Sequence, residues 1–435
     1  MDRTAANLLV DQILAMSDGD DVSVSLRGGT RTHLRFANNQ VTTSGVDEDN
    51  TLSVSVSYGT RTGTASGNQL DPDSLRAIVD SAQQLAKLAP EDPEFMPSLG
   101  PQTYLVVPSW KESTTPDALQ QGCARVISHA SSKGLVAAGL ALSRASWEAS
   151  GSKGGFFGWY RATKANISTT HRTPDGQGSG WAQRIAMRPE DLDFQGLAEV
   201  ASEKAETSVG RKPLKPGRYL TILEPACVAN LMSLLSGSLN QRRMDEGRSF
   251  MKTSELMQPR FPTWINASSN PSDPRSPTRP YTAEGLSQVP RIWIRNGAIL
   301  TLPVSRFWAK KNKKSPVPGP ANWLMTGGEG TVADLIAKTE RGVLVTSLWY
   351  IRAVDPRRLL YTGLTRDGIY WIEDGKISHP LTNMRWNDSP LDVLEGAVDA
   401  SAPVLTQGRK GWGAPMLVPA LRTKGFQFSS VSDAV

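Results

Sequence analysis

An alternation of apolar and polar residues near the N-terminus limits the possible fold more than any other feature of the sequence. Val22, Val24 and Leu26 alternate with polar residues, and the same period of two recurs over residues 52–58. This period is typical of a strand with one buried face. Because Asn38-Asn39 indicates a turn between the two runs, the region predicts an antiparallel meander.

Helical patterns lie on both sides of the meander. Residues 2–16 place apolar side chains on one helical face, and Asp71 before Pro72 is a typical helix start. Thr115 before Pro116 predicts a further helix start. Strand-like stretches at 135–147, 156–170 and 181–187 and a helix near 191–206 follow. The first half therefore predicts helix, sheet and helix twice over, an α+β arrangement in which two related lobes share one sheet.

A proline-rich segment separates this half from the rest of the chain. Residues 212–217 contain two prolines and a glycine, so they cannot extend either neighbouring element and predict a linker. We place an N-terminal α+β domain at residues 1–210 and a C-terminal, mainly β domain at residues 211–435. Asn296-Gly297 and Asp374-Gly375 predict two hairpins in the second domain.

Charge and cysteine content bear on three questions, which are nucleic-acid binding, cellular compartment and membrane association. The net charge of +6 is a mild excess for 435 residues, and the lysines of residues 310–314 precede a proline-rich stretch, which predicts a solvated basic loop. Phosphate or nucleic-acid binding is the alternative for this run. Two cysteines, no signal-peptide pattern and no apolar run of about 18 residues predict the cytoplasm and no membrane association.

Residues that carry chemistry are sparse. The four histidines, His33, His129, His171 and His379, are too far apart in sequence for a local metal motif. The sequence has no Gly-x-Ser-x-Gly motif and no phosphate-binding loop, and Ser249 within a Ser-x-x-Lys match lacks the companion motifs. These observations predict no catalytic residue, no resident metal and no cofactor in this chain.

Several segments together resemble one known family. Residues 34–42, with residues 52–59 behind them, resemble the N-terminal sheet of the TldD/TldE (PmbA) family, whose members are assigned as zinc-dependent peptidases. The resemblance continues in order and spacing over nearly the whole chain, at residues 223–229, 247–250, 294–297, 321–323, 371–376 and 411–415. It implies a TldD/PmbA-like fold with an α+β N-terminal domain and a mainly β C-terminal domain.

The resemblance also implies which residues stand at a degenerate metal site. TldD-type chains carry His-Glu-x-x-x-His at the start of the helix after a strand, and here those three positions are Glu224, Pro225 and Ala229. Their further ligand is a cysteine shortly before the segment matching residues 411–415, but this chain has no cysteine after Cys227. The chain therefore resembles the TldE-type subunit, which lacks the metal motif.

The sequence does not decide between two kinds of partner, and it leaves three alternatives to the function implied by the resemblance. The resemblance implies a non-catalytic subunit that joins a TldD-like catalytic chain as a heterodimer, or forms a homodimer, to cleave peptides or unfolded proteins. A stand-alone peptide-binding or assembly protein, a divergent metal-independent hydrolase and a nucleic-acid binder are the alternatives. Because aromatic residues favour interfaces, three of the 12 tryptophans, Trp308, Trp323 and Trp349, are candidates for an oligomer interface.

Overall fold

The computed structural model describes residues 1–111, 116–409 and 414–432. One six-stranded antiparallel sheet organises the N-terminal half, in the order β3-β2-β1-β4-β5-β6. Its strands are β1 (Asp21–Ala37), β2 (Gln40–Tyr58), β3 (Arg61–Gly67), β4 (Val136–Ser152), β5 (Phe157–Arg172) and β6 (Ser179–Ala186). Two three-stranded meanders are thus joined through β1 and β4, which confirms the prediction of two lobes on one sheet.

Four helices pack on one face of this sheet, two on each meander. They are α1 (Arg3–Ala15), α2 (Pro72–Leu88), α3 (Pro116–Ser132) and α4 (Phe194–Thr207). The Asp71 carboxylate accepts a hydrogen bond from the Ser74 backbone N–H at 3.0 Å, so the predicted N-cap of α2 is confirmed. The cap predicted at Thr115 lies outside the described residues.

Two apolar cores form where the alternating strand residues meet these helices. Val22, Val24 and Leu26 pack with α1 and α2, whereas Leu34 and Phe36 on the same strand pack with α3 and α4. The intervening residues of β1 face the opposite side of the sheet, because side chains alternate along a strand. That second face is free of the four helices, and we call it the open face.

The C-terminal half contains a nine-stranded sheet built around a parallel pair. Its path is β13-β14-β17-β21-β7-β12-β15-β16, with β18 also paired to β21, and only β7 and β12 are parallel neighbours along it. The strands are β7 (Gly217–Leu223), β12 (Arg341–Val345), β13 (Leu348–Asp355), β14 (Leu360–Thr365), β15 (Ile369–Glu373), β16 (Lys376–Pro380), β17 (Met384–Asp388), β18 (Ala397–Ala400) and β21 (Leu421–Val431).

A second, smaller sheet and five helices complete this half in the described part of the chain. The small sheet has the order β10-β9-β8-β11-β20-β19. Its strands are β8 (Ala267–Ser269), β9 (Arg291–Arg295), β10 (Ala298–Ile299), β11 (Leu324–Met325), β19 (Val404–Thr406) and β20 (Met416–Val418). The helices are α5 (Pro225–Ser238), α6 (Gln241–Asp245), α7 (Arg306–Lys311), α8 (Val332–Ala337) and α9 (Pro390–Glu395). An α+β chain with a mainly β C-terminal half is therefore confirmed.

The two predicted hairpins form at the expected dipeptides. Asn296 and Gly297 have φ of 49° and 75°, and Asp374 and Gly375 have φ of 51° and 73°. Positive φ at both central residues is the requirement of the tight turn that these dipeptides favour. The domain boundary after residue 210 stays a prediction, although Lys212 already exchanges backbone hydrogen bonds with Pro380 and Thr382 of the second half.

Two local predictions are wrong. The lysine run does not lie wholly in a loop, because Lys310 and Lys311 form the last turn of α7. Trp308 and Trp323 are 7% and 1% exposed in the single chain, so they belong to its core and are not available to an interface. Trp349 is half-buried and lies near Arg366 and Arg409. In the described ranges, no helix has the length and apolar character needed to cross a bilayer.

Candidate functional site

The residues implied as a degenerate metal site lie where β7 ends and α5 begins. Glu224 is the N-cap residue of α5, and its backbone N–H donates to the carbonyl of Val345 on the parallel neighbour β12 at 3.0 Å. Pro225 occupies the first helical position, where a missing N–H costs nothing. The helix is buried over most of its length, which fixes this junction rigidly in the core.

The Glu224 side chain is held by a lysine from the other half of the chain. Lys204 on α4 lies 2.7 Å from a Glu224 carboxylate oxygen, and both side chains are largely buried, at 14% and 19% exposure. The Lys204 backbone carbonyl accepts a hydrogen bond from the Tyr370 hydroxyl at 3.0 Å. The carboxylate at the first motif position is therefore already neutralised by an ammonium group of the same chain.

The third motif position, Ala229, is fully buried and offers only a methyl group. Its neighbour Asn230 is packed tightly against the segment after β19, because a Cβ atom added at Gly408 would lie 2.3 Å from the Asn230 side chain. A larger residue at position 408 would therefore require the Asn230 side chain to move. The structure thus brings the start of α5 together with the segment that approaches residue 411.

A second ion pair lies beside the first one. Asp367 has a fully buried carboxylate, which contacts the Arg409 guanidinium and accepts a hydrogen bond from the Ser179 hydroxyl at 2.5 Å. Arg409 also donates to the Ser347 hydroxyl at 3.0 Å. Since Ser179 belongs to β6 and the other residues to the second half, the hydrogen bond from Ser179 to Asp367 joins the two halves of the chain.

Two tryptophans enclose Arg409. The guanidinium carbon lies 5.1 Å from the ring centre of Trp181 and 5.0 Å from that of Trp349, within the usual range of cation–π contacts. Trp181 projects from the open face of the N-terminal sheet, whereas Trp349 lies on β13. The aromatic rings exclude water from the ion pair and so strengthen it.

The electrostatics favour the ionised form of both members of the Asp367–Arg409 pair. Burial raises the pKa of the Asp367 carboxyl, but the charge of Arg409 and the Ser179 hydrogen bond outweigh that effect, so the net shift is downward. Burial lowers the pKa of Arg409, which opposes the pairing. Arg409 nevertheless stays protonated, because the pKa of an arginine begins far above neutral pH.

These donors do not suit the zinc ion implied by the resemblance. Zinc sites use thiolate, imidazole and carboxylate ligands, usually four in tetrahedral geometry. Pro225 and Ala229 have no donor, and Glu224 is engaged by Lys204. Within residues 1–111, 116–409 and 414–432 there is no group of three or more His, Cys, Asp or Glu side chains able to hold a metal ion.

Both cysteines and His171 are buried. Cys123 and Cys227 are buried, and burial raises the pKa of Cys123 to about 12 and that of Cys227 well above its usual range. A thiol held protonated in this way is a poor nucleophile. The buried His171 ring nitrogen lies 2.9 Å from the Ser202 hydroxyl, and burial together with nearby His129 lowers its pKa to about 4.

A groove of about 940 Å³ lies on the small sheet, away from this junction. Its lining includes Asp273, Arg275 and Arg291 and none of the ion-paired residues of the junction. Asp273 and Arg275 already form an ion pair at 2.7 Å. The residues of the junction are therefore identified by their contacts with each other, because the groove does not include them.

Sequence reasoning missed Lys204, Asp367 and Arg409. Asp367 and Gly368 have φ of 52° and 133°, so the Asp-Gly dipeptide could have predicted a turn there. No local pattern links residue 204 with residue 224, or residue 367 with residue 409. The Lys204–Glu224 contact arises only when α4 packs against the second half, and the Asp367–Arg409 contact arises only when the second half folds.

The chain matches two domains of one protein family. The PmbA/TldA metallopeptidase C-terminal domain matches residues 216–430, and the PmbA/TldA metallopeptidase domain 1 matches residues 22–86. Metalloprotease PmbA of Escherichia coli O157:H7 is 22% identical over 435 residues, with 94% of this chain and 93% of the relative covered. The Metalloprotease PmbA homolog of Buchnera aphidicola is also 22% identical, over 213 residues that are about half of each chain.

Solved structures show the same fold. TldE from Thermococcus kodakarensis superposes with a TM-score of 0.87 at 16% identity, covering 98% of this chain and 100% of that one. A protein from Thermotoga maritima, described as a candidate modulator of a DNA gyrase, gives 0.83 at 16% identity and covers 97% and 99%. Fold and domains together define a metallopeptidase-related class of protein. Within that class, the chain belongs to the TldD/TldE (PmbA) family.

Proposed function

We propose that this chain is a non-catalytic, TldE-like subunit that pairs with a TldD-like metallopeptidase and helps enclose the chamber in which peptides or unfolded protein segments are cleaved. One observation carries the proposal. The strand and helix of the family's metal motif are in place, but Lys204 neutralises Glu224, and Pro225 and Ala229 supply no ligand. A heterodimer would supply the missing metal from the partner chain, whereas a homodimer would not.

The first test is the metal content of the isolated chain. Elemental analysis of the purified protein should find no stoichiometric zinc, because the motif positions have no ligand set. The matched control is a TldD-like chain that carries His-Glu-x-x-x-His, purified by the same route. One tightly held zinc ion per copy of this chain would contradict the proposal.

The second test is reconstitution of peptidase activity. This chain alone should not hydrolyse peptides, while the pair with a TldD-like chain should be more active than that partner alone, because the second subunit keeps the substrate positioned. Light scattering of each chain and of the mixture would separate a heterodimer from a homodimer. Chelator-resistant hydrolysis by the isolated chain would favour a divergent metal-independent hydrolase instead.

The cytoplasm is the compartment that we propose for this activity. Both cysteines are free and buried, and they do not form a disulfide. Free thiols are typical of proteins in reducing compartments. Fractionation of cells that express the tagged chain would test the assignment.

A further inference from the structure

Three cations lie in one row across the open face of the N-terminal sheet. Arg31 on β1 stands in register with Arg144 on β4, and Arg144 stands in register with Lys164 on β5. Residues directly opposite each other on antiparallel strands point to the same face with Cβ atoms about 4.5–5.5 Å apart, and like charges so placed destabilise the sheet. Nearby negative charges are therefore needed to offset the repulsion among these three cations.

Among the residues that the structure describes, that negative charge is supplied at one end only. Asp47 on β2 accepts two hydrogen bonds from the Arg31 guanidinium, at 3.1 and 2.8 Å. Neither Arg144 nor Lys164 has a side-chain hydrogen bond or an ion pair with any residue that the structure describes. Burial, together with the charge of Arg144, lowers the pKa of Lys164 to about 8. Within residues 1–111, 116–409 and 414–432, the β4–β5 end of the row is thus a pair of cations without a counter-charge.

The C-terminal half touches the same open face on both sides of this pair. On one side, Arg279 donates to the Glu148 carboxylate at 2.6 Å. On the other, the Gln183 side chain donates to the Thr406 hydroxyl at 2.7 Å. The β5 positions in register with Glu148 and Gln183 fall before and after Lys164. Lys164 therefore lies between two contacts that hold the halves together.

We propose that Arg144 and Lys164 form a binding site for the carboxylate side chains of an acidic peptide segment. The charges on the same face favour a peptide over a nucleic acid. The other charges nearby, on Asp47 and Glu148, are already paired with Arg31 and Arg279, so the face offers two separate cations and no continuous basic track for a phosphate backbone. A peptide can place single carboxylates opposite single cations. The site is made by this chain alone and does not depend on a TldD-like partner.

The test measures binding of fluorescein-labelled poly-glutamate to the full chain by anisotropy at low salt. Lys164→Met should weaken binding about tenfold, because one charge-assisted contact is lost. Lys164→Arg should keep most of the affinity. The matched control is Lys424→Met, which removes an exposed strand lysine of the second half and should leave binding unchanged.

A thermal measurement separates binding from a structural role. Because Lys164 has no ion pair among the described residues, Lys164→Met should melt at a higher temperature than the wild type, while poly-glutamate should raise the melting temperature of the wild type more than that of the variant. Equal poly-glutamate affinity in the wild type and Lys164→Met would overturn the proposal. Tighter binding of single-stranded poly-thymidine than of poly-glutamate would overturn it in favour of a nucleic-acid site. Neither result bears on heterodimer assembly, which light scattering measures separately.

Discussion

Two groups of charged residues in this protein differ in how their charges are balanced. At the junction of β7 and α5, Glu224 is paired with Lys204 and Asp367 with Arg409, so each charge has a partner in the same chain. On the open face, Arg144 and Lys164 have neighbours of their own sign. The junction therefore offers a ligand no charge that lacks a partner, whereas the row on the sheet offers two such charges among the residues described. A charge without a partner in its own chain is the better indicator of a binding site.

Asp388 is a further buried carboxyl group, and here the cost of burying a charge shifts the pKa of the group itself. Asp388 is 2% exposed and accepts hydrogen bonds from the backbone N–H groups of Ser389 and Gln427, at 2.9 Å each. Burial nevertheless raises the pKa of Asp388 to about 6. This carboxyl has no ion pair among the residues described, so it takes up a proton near neutral pH.

The largest expected effect comes from breaking the buried pair at the junction. Asp367→Ala should lower the free energy of unfolding by about 3–5 kcal/mol, because Arg409 would stay buried without its counter-charge. Urea denaturation followed by tryptophan fluorescence would measure the change. The control is Asp191→Ala, which breaks an exposed pair with Arg188 and should cost less than about 1 kcal/mol. Similar losses in both variants would show that the junction pair has no special role.

A smaller effect is expected at the motif position itself. Glu224→Ala should lower the free energy of unfolding by about 2 kcal/mol, because Lys204 would lose its partner in a largely buried position. The double change Lys204→Met with Glu224→Leu should recover most of that loss. If the chain is a non-catalytic subunit, peptide hydrolysis per assembled complex should be the same in all three forms. A large fall in that rate with assembly intact would assign Glu224 a catalytic role.

The sequence anticipated those parts of the molecule that depend on local chemistry. Alternation predicted β1 and β2, Asp71 predicted the start of α2, and two Asn-Gly or Asp-Gly dipeptides predicted their hairpins. In each case the determining residues are neighbours in the chain. The fold class follows from such patterns, whereas the strand–helix junction at Glu224 was implied by the family resemblance.

The charge balance could not be anticipated, because it depends on contacts between distant residues. Lys204 is an ordinary polar residue on a helix until α4 docks against the second half. Trp308 was wrongly expected at an interface, because composition does not reveal that its indole N–H donates to Asp245 at 2.8 Å inside the chain. The row of Arg31, Arg144 and Lys164 likewise requires the register of three strands.

The next smaller effect concerns pH and Asp388. With a folded-state pKa of about 6 against an ordinary value of 3.8, the native state binds more protons than the unfolded state between these values. Stability should therefore fall as pH rises through this window, by about 1 kcal/mol between about pH 5 and about pH 7.5. Asp388→Asn should flatten that part of the profile. An unchanged profile in the variant would mean that Asp388 is ionised throughout.

The smallest expected effect tests the repulsion within the open-face row. Added salt screens charges over about 10 Å at 0.1 M ionic strength, so it should relieve the repulsion between Arg144 and Lys164. Raising the sodium chloride concentration should stabilise the wild type by a few tenths of a kcal/mol more than Lys164→Met, with Lys424→Met following the wild type. Chemical denaturation with urea, which adds no ions, is the suitable measurement. If Lys164→Met gains as much from salt as the wild type, the two cations do not interact, and the uncompensated charge that distinguishes the row from the junction would be absent.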